Sequence, residues 1–473
     1  MIQKLKVPEN WKIVELKDVC HKITDGTHKT PNYIVSGVRF ISIKNIRPYQ
    51  PVNWGSYEKF ISRKEHEELI KRCKPEYDDI LFPRIGTLGF AKRIDFAEEV
   101  SIFVGLGLLK PNKGIVLPKY LEYWMNHPII NRRSRKKATG SGRLTLPLEE
   151  TRKFPIPLAP LNDQQRIIEE IEKQFSRLDE TVTLLKRIQV NLKRYKAAVL
   201  KAAVEGKLTE QWRKGHPDVE PAEQLLKRIL AERRARWEAE ELAKMKVKGI
   251  KPKDDSWKKK YKEPAGPDMA LLPELPAGWV WVTLPQLGEL NRGKSKHRPR
   301  NAPHLYGGPY PFVQTGDIRA ANGLVRNYSQ TYSEAGLEQS RLWPAGTLCI
   351  TIAANIADTA ILGFDACFPD SIVGFLTEQS HCEVRFIEFF IRTAKENIER
   401  YAPATAQKNI NLEILSDVAV PLPPLQEQKN ILDEINCRLS VTEELETTIE
   451  TNFKRAESLR QTILQQAFSG VLV

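Results

Sequence analysis

The chain has 473 residues, 41% apolar and 28% charged, which is enough for two or three domains with proper cores. No stretch approaches the ~20 apolar residues of a membrane span, and the opening MIQKLKVPEN lacks a signal peptide's apolar core, so a cytoplasmic protein without a membrane is expected. A formal net charge of +14 favours an anionic partner, nucleic acid being the commonest large one, with a merely Lys-rich protein as the alternative.

From the N-terminus, PENWKIVEL (8–16) opens the first recognisable segment. VRFISIKNI (38–46), ILFPRIGTLGFAKRI (80–94) and VSIFVGLGLL (100–109) are short β-branched runs between polar turns and predict strands. PKYLEYWMNHPIINRRSRKKA (118–138) has helical character. From about Asp163 to Glu205 a long helix is predicted, preceded by Pro160 and stopped near Gly206. Its apolar residues fall at Ile168, Ile171, Phe175, Leu178, Val182, Leu185, Ile188, Leu192, Tyr195 and Val199, in the threes and fours of a coiled-coil seam. At ~1.5 Å per residue such a helix is roughly 65 Å long.

EPAEQLLKRILAERRARWEAEELAKMKVKG (220–249) predicts a charged helix with Leu225, Leu226, Ile229, Leu230, Trp237 and Leu242 on one side. A Lys- and Pro-rich linker follows, and its run from Lys258 to Lys262 reads as a solvated charge cluster or as phosphate-contacting. PAGWVWVTL (276–284) then repeats the Pro-x-x-Trp-x-x-Val-x-Leu of the start. FVQTGDIR (312–319) matches FISIKNIR (40–47), FIEFF (386–390) matches YLEYW (120–124), and PLPPLQEQKNILDEI (421–435) matches PLAPLNDQQRIIEEI (157–171). GTLCITIAANIADTAIL (346–362) predicts strands and VRFIEFFIRTAKENIERYA (384–402) a helix. The second long helix carries Leu432, Ile435, Leu439, Thr442, Leu445, Ile449, Phe453, Ala456, Leu459 and Ile463 at the same spacing, with Gly470 at its stop.

The chain is therefore a tandem repeat. Each half has a variable first part with insertions and a gapless second part. A helix with one apolar stripe must cover it, either against its own globular part or against the other long helix. Matched lengths favour intramolecular pairing, and the connectivity makes that pair antiparallel with a globular part at each end. The expected class is α+β, with boundaries 1–156, 157–208 (first long helix), 209–275 (charged helix and linker), 276–419 and 420–473 (second long helix).

Catalytic signatures are sparse. GELNRGKS (288–295) fits the Gly-x4-Gly-Lys-Ser of a phosphate loop, but KHRPRNAPHLYGGPYP after it has no helical periodicity, and the fit reads as accidental. There is no Asp/Asn-Pro-Pro-Tyr/Phe methyl-transfer motif, and PDSIVGFLTEQS (369–380) lacks a nuclease's acidic-x-Lys. Neither a Cys-x-x-Cys pair nor a His-Glu-x-x-His occurs, so no metal site is expected.

The globular parts offer positive charge in turns. The stretch 130–143 holds Arg132, Arg133, Arg135, Lys136, Lys137 and Arg143 without an acid. The stretch 291–300 holds Arg292, Lys294, Lys296, Arg298 and Arg300, again without an acid. Gln407, Lys408 and Asn409 stand where Arg143 stands in the first half. Such clusters suit phosphates, and Arg, Lys, Asn and Gln suit base edges; solvated surface turns are the alternative.

With two Pro-Leu-x-Pro-Leu-x-x-Gln helix entries, each behind a strand-rich domain opened by Trp-x-x-Val-x-Leu, the sequence resembles the DNA-specificity subunit of type I restriction–modification systems over nearly its whole length. The first copy has Asn162-Asp163-Gln164-Gln165 where the second has Gln426-Glu427-Gln428-Lys429. The resemblance implies two target-recognition domains separated by two antiparallel helices, each domain reading one half of a bipartite double-stranded DNA site. It further implies two methyltransferase subunits as partners, restriction subunits in the full complex, and a non-catalytic role in DNA methylation and restriction. No cofactor is expected on this chain; S-adenosylmethionine and ATP would belong to the partners. The competing readings are a coiled-coil scaffold that never touches DNA and a nucleotide-binding enzyme acting through residues 288–295.

Overall fold

A computed structural model describes residues 7–472 except 56, 250, 253, 271, 354–356, 378–379 and 401–410, with the side chains of 396–400 also left aside. The chain divides into two compact units, Met1–Ile188 with Thr448–Val473, and Gln189–Thr447. Each holds one globular part and a stretch of both long helices.

In the first unit β1 (Lys12–Glu15) and the short α1 (Leu16–Val19) lead into β2 (Cys20–Asp25), β3 (Val38–Ile41) and β4 (Phe60–Ile61). α2 (Arg63–Arg72), capped by the Ser62 hydroxyl, precedes β5 (Ile80–Pro83), β6 (Lys92–Arg93), β7 (Val100–Ile102) and β8 (Leu106–Pro111). Their apolar residues build a four-stranded sheet in the order β2-β8-β5-β6 and a three-stranded one in the order β4-β3-β7. The helical segment that follows is broken into α3 (Pro118–Met125) and α4 (Pro128–Lys137), because Pro128 keeps His127 extended. After α5 (Leu148–Arg152), β9 (Pro155–Leu158) returns to pair with β1, which closes the domain just before α6 (Leu161–Val204) begins.

Beyond α6, α7 (Glu210–Gly215) and α8 (Ala222–Val247) belong to the second unit. Leu225 and Ile229 of α8 are buried against its domain, while Leu242 is exposed, unlike the single apolar side expected. The Lys-rich linker also does more than connect. Residues Asp255–Lys260 form a 3-10 turn whose Trp257 is buried and stacks on Trp237 of α8 at 6.0 Å. Lys258 there pairs with Asp255 and Glu238.

The second domain repeats the first with changes. β10 (Val280–Thr283), α9 (Leu284–Leu287), β11 (Glu289–Arg292), β12 (Tyr306–Phe312), α10 (Thr315–Ala320), β13 (Gly323–Val325), β14 (Gln330–Tyr332) and α11 (Glu334–Glu338) precede β15 (Leu348–Thr351), β16 (Thr359–Leu362) and β17 (Ile372–Leu376). The main sheet runs β11-β17-β15-β16-β13, and β12 pairs with β14. α12 (Val384–Arg400) is unbroken, with Ala394 where the first half has Pro128. α13 (Leu412–Asp417) and β18 (Ala419–Leu422) follow, β18 pairing with β10 as β9 does with β1. α14 (Leu425–Ala467) ends the chain's regular structure.

Within each unit the long helices run antiparallel. In the first, Ile167, Ile168 and Ile171 share a core with Ile463, Leu464 and Phe468, while further along α6 Asp179 pairs with Arg460. In the second, Lys196 pairs with Glu446 at 2.7 Å, and Leu200 and Ala203 share a core with Ile431 and Ile435. Ile435, Thr442, Ile449, Ala456 and Ile463 are all buried, seven residues apart. The seam is narrower than the sequence stripe: Ile188, Tyr195, Leu445 and Leu459 are exposed, because one partner helix covers only a thin strip.

The repeated motifs have the same work in both halves. Gln164 accepts from Leu117 N (2.8 Å) and donates to Ala159 and Ile115 oxygens (2.8 and 3.0 Å), fastening the N-terminus of α3 to that of α6. Gln428 accepts from Glu383 N (2.8 Å) and donates to Pro423 O (2.9 Å), doing the same for α12 and α14. The doubled proline has a partner too. Gly470, past the end of α14, lies against Pro8, and Gly206, past the end of α6, lies against Pro276 and Trp279. Both glycines hold positive φ (+77° and +69°), and a Cβ at either would strike the proline.

Candidate nucleic-acid interface

In the first domain the polar stretch after α4 folds into a tight loop. Thr139 and Thr145 exchange backbone bonds (2.9 and 2.8 Å), and Gly140, at φ +105°, makes the turn where a side chain would meet Arg143 O. Arg143 stands exposed at the tip, with no hydrogen-bond or ion-pair partner among the described residues. The loop is fastened at its base: Leu146 N donates to Arg84 O (2.7 Å) and Gly86 N to Leu144 O (2.8 Å).

Arg84 is itself held from below. Its Nε donates to Leu146 O at 3.2 Å and its Nη1 pairs with Asp25, a carboxylate 2% exposed at the end of β2. Arg72 and His28 (3.0 Å) approach the same carboxylate. Burial pulls the Arg84 guanidinium below its ordinary value, against the opposing pull of Asp25. Two guanidinium groups and an imidazole share one acid, so the base of the loop keeps surplus positive charge. Sequence reasoning missed this cluster; its one local signal is Asp25, a carboxylate ending a strand in the polar run ITDGTH.

The cations of 132–137 lie on α4, in line with the helical character of 118–138 and unlike the turns expected for this charge, since the segment keeps helical bonds up to Lys137. Two of them face the protein. Arg133 donates to Lys153 O (3.2 Å) and sits over the Phe154 ring, and Lys137 pairs with Glu150 at 2.8 Å. Arg132, Arg135 and Lys136 are exposed without an acid partner among the described residues, and their spacing puts them on one helix face.

The second domain differs again. The stretch 291–300 has no acid of its own, but the fold brings one: Arg300 holds both Asp370 oxygens at 2.9 Å, and Arg292 donates to Asp370 O (2.7 and 3.0 Å). Arg298 folds back onto Ser295 O and His297 O. Lys294 and Lys296 remain exposed with no side-chain partner among the described residues, so the five free cations expected here reduce to two. Gln407, Lys408 and Asn409 lie outside the described residues. The phosphate-loop lookalike is mostly strand: Glu289–Arg292 pair with β17, Gly288 and Gly293 abut Leu376 O and Phe368 O, and no helix follows before Pro303.

A family model described as the type I restriction modification DNA specificity domain matches residues 8–194 and again residues 276–453. The chain belongs to that family. This specificity subunit is 26% identical over 245 residues to the EcoBI specificity subunit of Escherichia coli, an alignment taking in 49% of this chain and 50% of that one. It is 21% identical to the EcoKI specificity subunit of Escherichia coli K12 over 99% of this chain and 90% of that one. Similarity also reaches a putative MjaX specificity subunit of Methanocaldococcus jannaschii, 22% identical over 91% and 87% of the two chains. Among solved structures, a chain from work on complex assembly and conformational transition of the type I R-M system superposes with TM-score 0.64 at 16% identity, covering 98% of this chain and 99% of that one. The HsdS subunit of Thermoanaerobacter tengcongensis gives TM-score 0.50 at 18% identity, covering 99% of both.

In this specificity subunit the two family matches coincide with the two domains and their helix entries, so the repeat read from the sequence is a repeat of the DNA-specificity domain. Among the described residues no cluster of His, Cys, Asp or Glu suits a metal ion, and no helix is long and apolar enough to cross a membrane.

Proposed function

We propose that this specificity subunit reads a bipartite, asymmetric site on double-stranded DNA in the cytoplasm, one domain per half-site, and docks two methyltransferase subunits. Restriction subunits complete the assembly. The subunit catalyses nothing itself, and S-adenosylmethionine and ATP belong to its partners. Arg132, Arg135, Lys136 and Arg143 in the first domain, and Lys294, Lys296 and the Gln407–Asn409 stretch in the second, are assigned to DNA, with Arg143 assigned to bases. Arg133, Lys137, Arg292, Arg298 and Arg300, already engaged by protein groups, serve by positioning.

One observation carries this reading: an identical framework bears unlike surfaces. The strand clips β1–β9 and β10–β18 and the glutamine fasteners recur. The exposed cations do not. A duplicated framework suits two docking events on like partners, and divergent surfaces suit two different half-sites.

The test is to lengthen α6 and α14 by the same few residues and map methylation in a host that also carries the partner subunits. The unread gap is expected to change while both half-site sequences persist. Altered half-sites with an unchanged gap would sink the proposal. Salt-sensitive DNA binding by the assembled complex separates it from a scaffold that never touches DNA.

A further inference from the structure

The first domain holds a second feature outside the cationic loop, a cavity of about 690 Å³ beside β3. Phe40 and Phe103 line it, Tyr33 and Tyr57 stand at it 40% and 45% exposed, and Lys44 and Lys59 flank them. The Lys59 ammonium lies 4.0 Å over the Tyr33 ring and that of Lys44 4.9 Å over the Tyr57 ring. Neither lysine has a carboxylate partner among the described residues. The acid in the wall, Glu58, is engaged by Arg39 at 3.2 Å.

Each part of this wall selects a ligand property. Solvent-facing tyrosines offer stacking surface to a planar ring. Two ammonium groups balanced only by ring faces favour an anion. The volume falls in the range that takes a small organic molecule, too small for a duplex and roomy for one nucleotide. In the second domain the aligned ring is covered by other rings. Phe312, aligned with Phe40, stacks on the fully buried Tyr332 at 4.0 Å, with Tyr306 packed against both.

We propose that the Tyr33–Tyr57 cavity binds a single unstacked nucleotide, with its base against the tyrosines and its phosphate against Lys44 and Lys59. The nucleotide is either free or part of a strand. The inference goes beyond duplex reading by the Arg143 loop and does not depend on it.

The experiment measures fluorescence anisotropy of a labelled five-residue oligothymidylate with the full-length chain. Thymidine 5′-monophosphate and deoxyribose 5-phosphate serve as competitors. Tyr57→Ala and Lys59→Ala, both at exposed side chains, are each expected to weaken probe binding about tenfold. Arg143→Ala should leave it within about twofold while weakening duplex binding, so failure of the cavity and failure of the duplex reading are told apart. Competition by thymidine 5′-monophosphate at similar concentration identifies a free nucleotide as sufficient, and competition by neither small molecule identifies a nucleotide within a strand. No probe binding, binding that survives either cavity substitution, equal loss in Arg143→Ala, or equal competition by the sugar phosphate overturns the proposal.

Discussion

The two halves of this specificity subunit agree where helices begin and differ where surfaces face outward. Each domain is closed by a two-stranded clip and fastened to its long helix by one buried glutamine. Around that shared fastening the chemistry diverges. One residue before Gln428 stands Glu427, fully buried and accepting from Thr209 (2.7 Å), Arg213 (2.9 Å) and the Trp279 indole (2.9 Å). The matching Asp163 is partly exposed and, among the described residues, meets Asn10 at 3.3 Å and Arg166 at 3.9 Å. The duplicated framework thus tolerates unequal electrostatics as long as backbone capping is preserved.

That difference gives the largest expected effect. Glu427→Ala leaves a guanidinium, an indole N–H and a hydroxyl without their acceptor, and should destabilise the second unit by about 3–5 kcal/mol. Asp163→Ala, at a solvent-screened pair near a helix N-terminus, should lose less than about 1 kcal/mol. Urea unfolding of the two variants checks the contrast; equal losses would show that the burial difference has no energetic consequence.

Acid should separate the units next. His127 is 3% exposed, stacks on Trp124 at 4.7 Å, and accepts the Ile129 N–H through Nδ1 (3.2 Å), which requires that nitrogen unprotonated. Burial, with Arg132 adding repulsion, pushes its pKa down to about 4. The folded value lies below the unfolded one near 6.5, so the unfolded chain takes up the proton first. The stability tied to neutral His127 is complete above about pH 6.5 and is lost as pH falls toward 4, by about 3 kcal/mol in all. The second half has Thr393 at this position, donating to Phe390 O, with nothing to titrate in that range. Unfolding of wild type and His127→Gln followed from pH 7 to pH 4.5 should show the variant with the shallower decline. Parallel declines would remove His127 as the cause.

How much of this was legible in the sequence follows from the range of each interaction. The long helices were legible because spacing in threes and fours is a local pattern repeated many times. Their antiparallel pairing was legible from matched lengths and from connectivity, since the second globular part must be built between them. The strand pairs at 80–94 and 346–362 were legible from β-branched runs around turn residues. The glutamines were visible as a doubled motif, but their bonds to Leu117 and Glu383 join residues more than 40 positions apart. The same distance problem misled the cation count. Asp370 comes 70 residues after Arg300, and Asp25 lies 59 before Arg84, so no window shows which charges are already matched. In the linker a conspicuous lysine run hid Trp257, the residue that decides where the segment packs.

The glutamine pair offers a test with a smaller effect. Gln164→Ala strands Leu117 N–H and two carbonyls, while Gln428→Ala strands Glu383 N–H and one carbonyl. Each should lower stability by about 2 kcal/mol, with Gln164→Ala slightly the worse. If thermal unfolding found one variant silent, the two fasteners would be equivalent in geometry but not in function.

The last effects, running down to none at all, should fall on DNA and sharpen the comparison of surfaces under the proposed reading. Arg143→Ala removes an unpartnered guanidinium from a loop braced by Arg84 and Asp25, and should weaken binding by about 1–3 kcal/mol with relaxed preference at one half-site only. Lys296→Ala in the second domain should weaken binding of all sequences alike and reduce the salt slope by about one. Lys137→Ala, whose ammonium already faces Glu150, should change neither quantity. Titrations of the three variants in the assembled complex at two salt concentrations distinguish these outcomes. An effect of Lys137→Ala as large as that of Arg143→Ala would mean that bulk charge, rather than the presence or absence of a protein partner, decides which cations meet DNA.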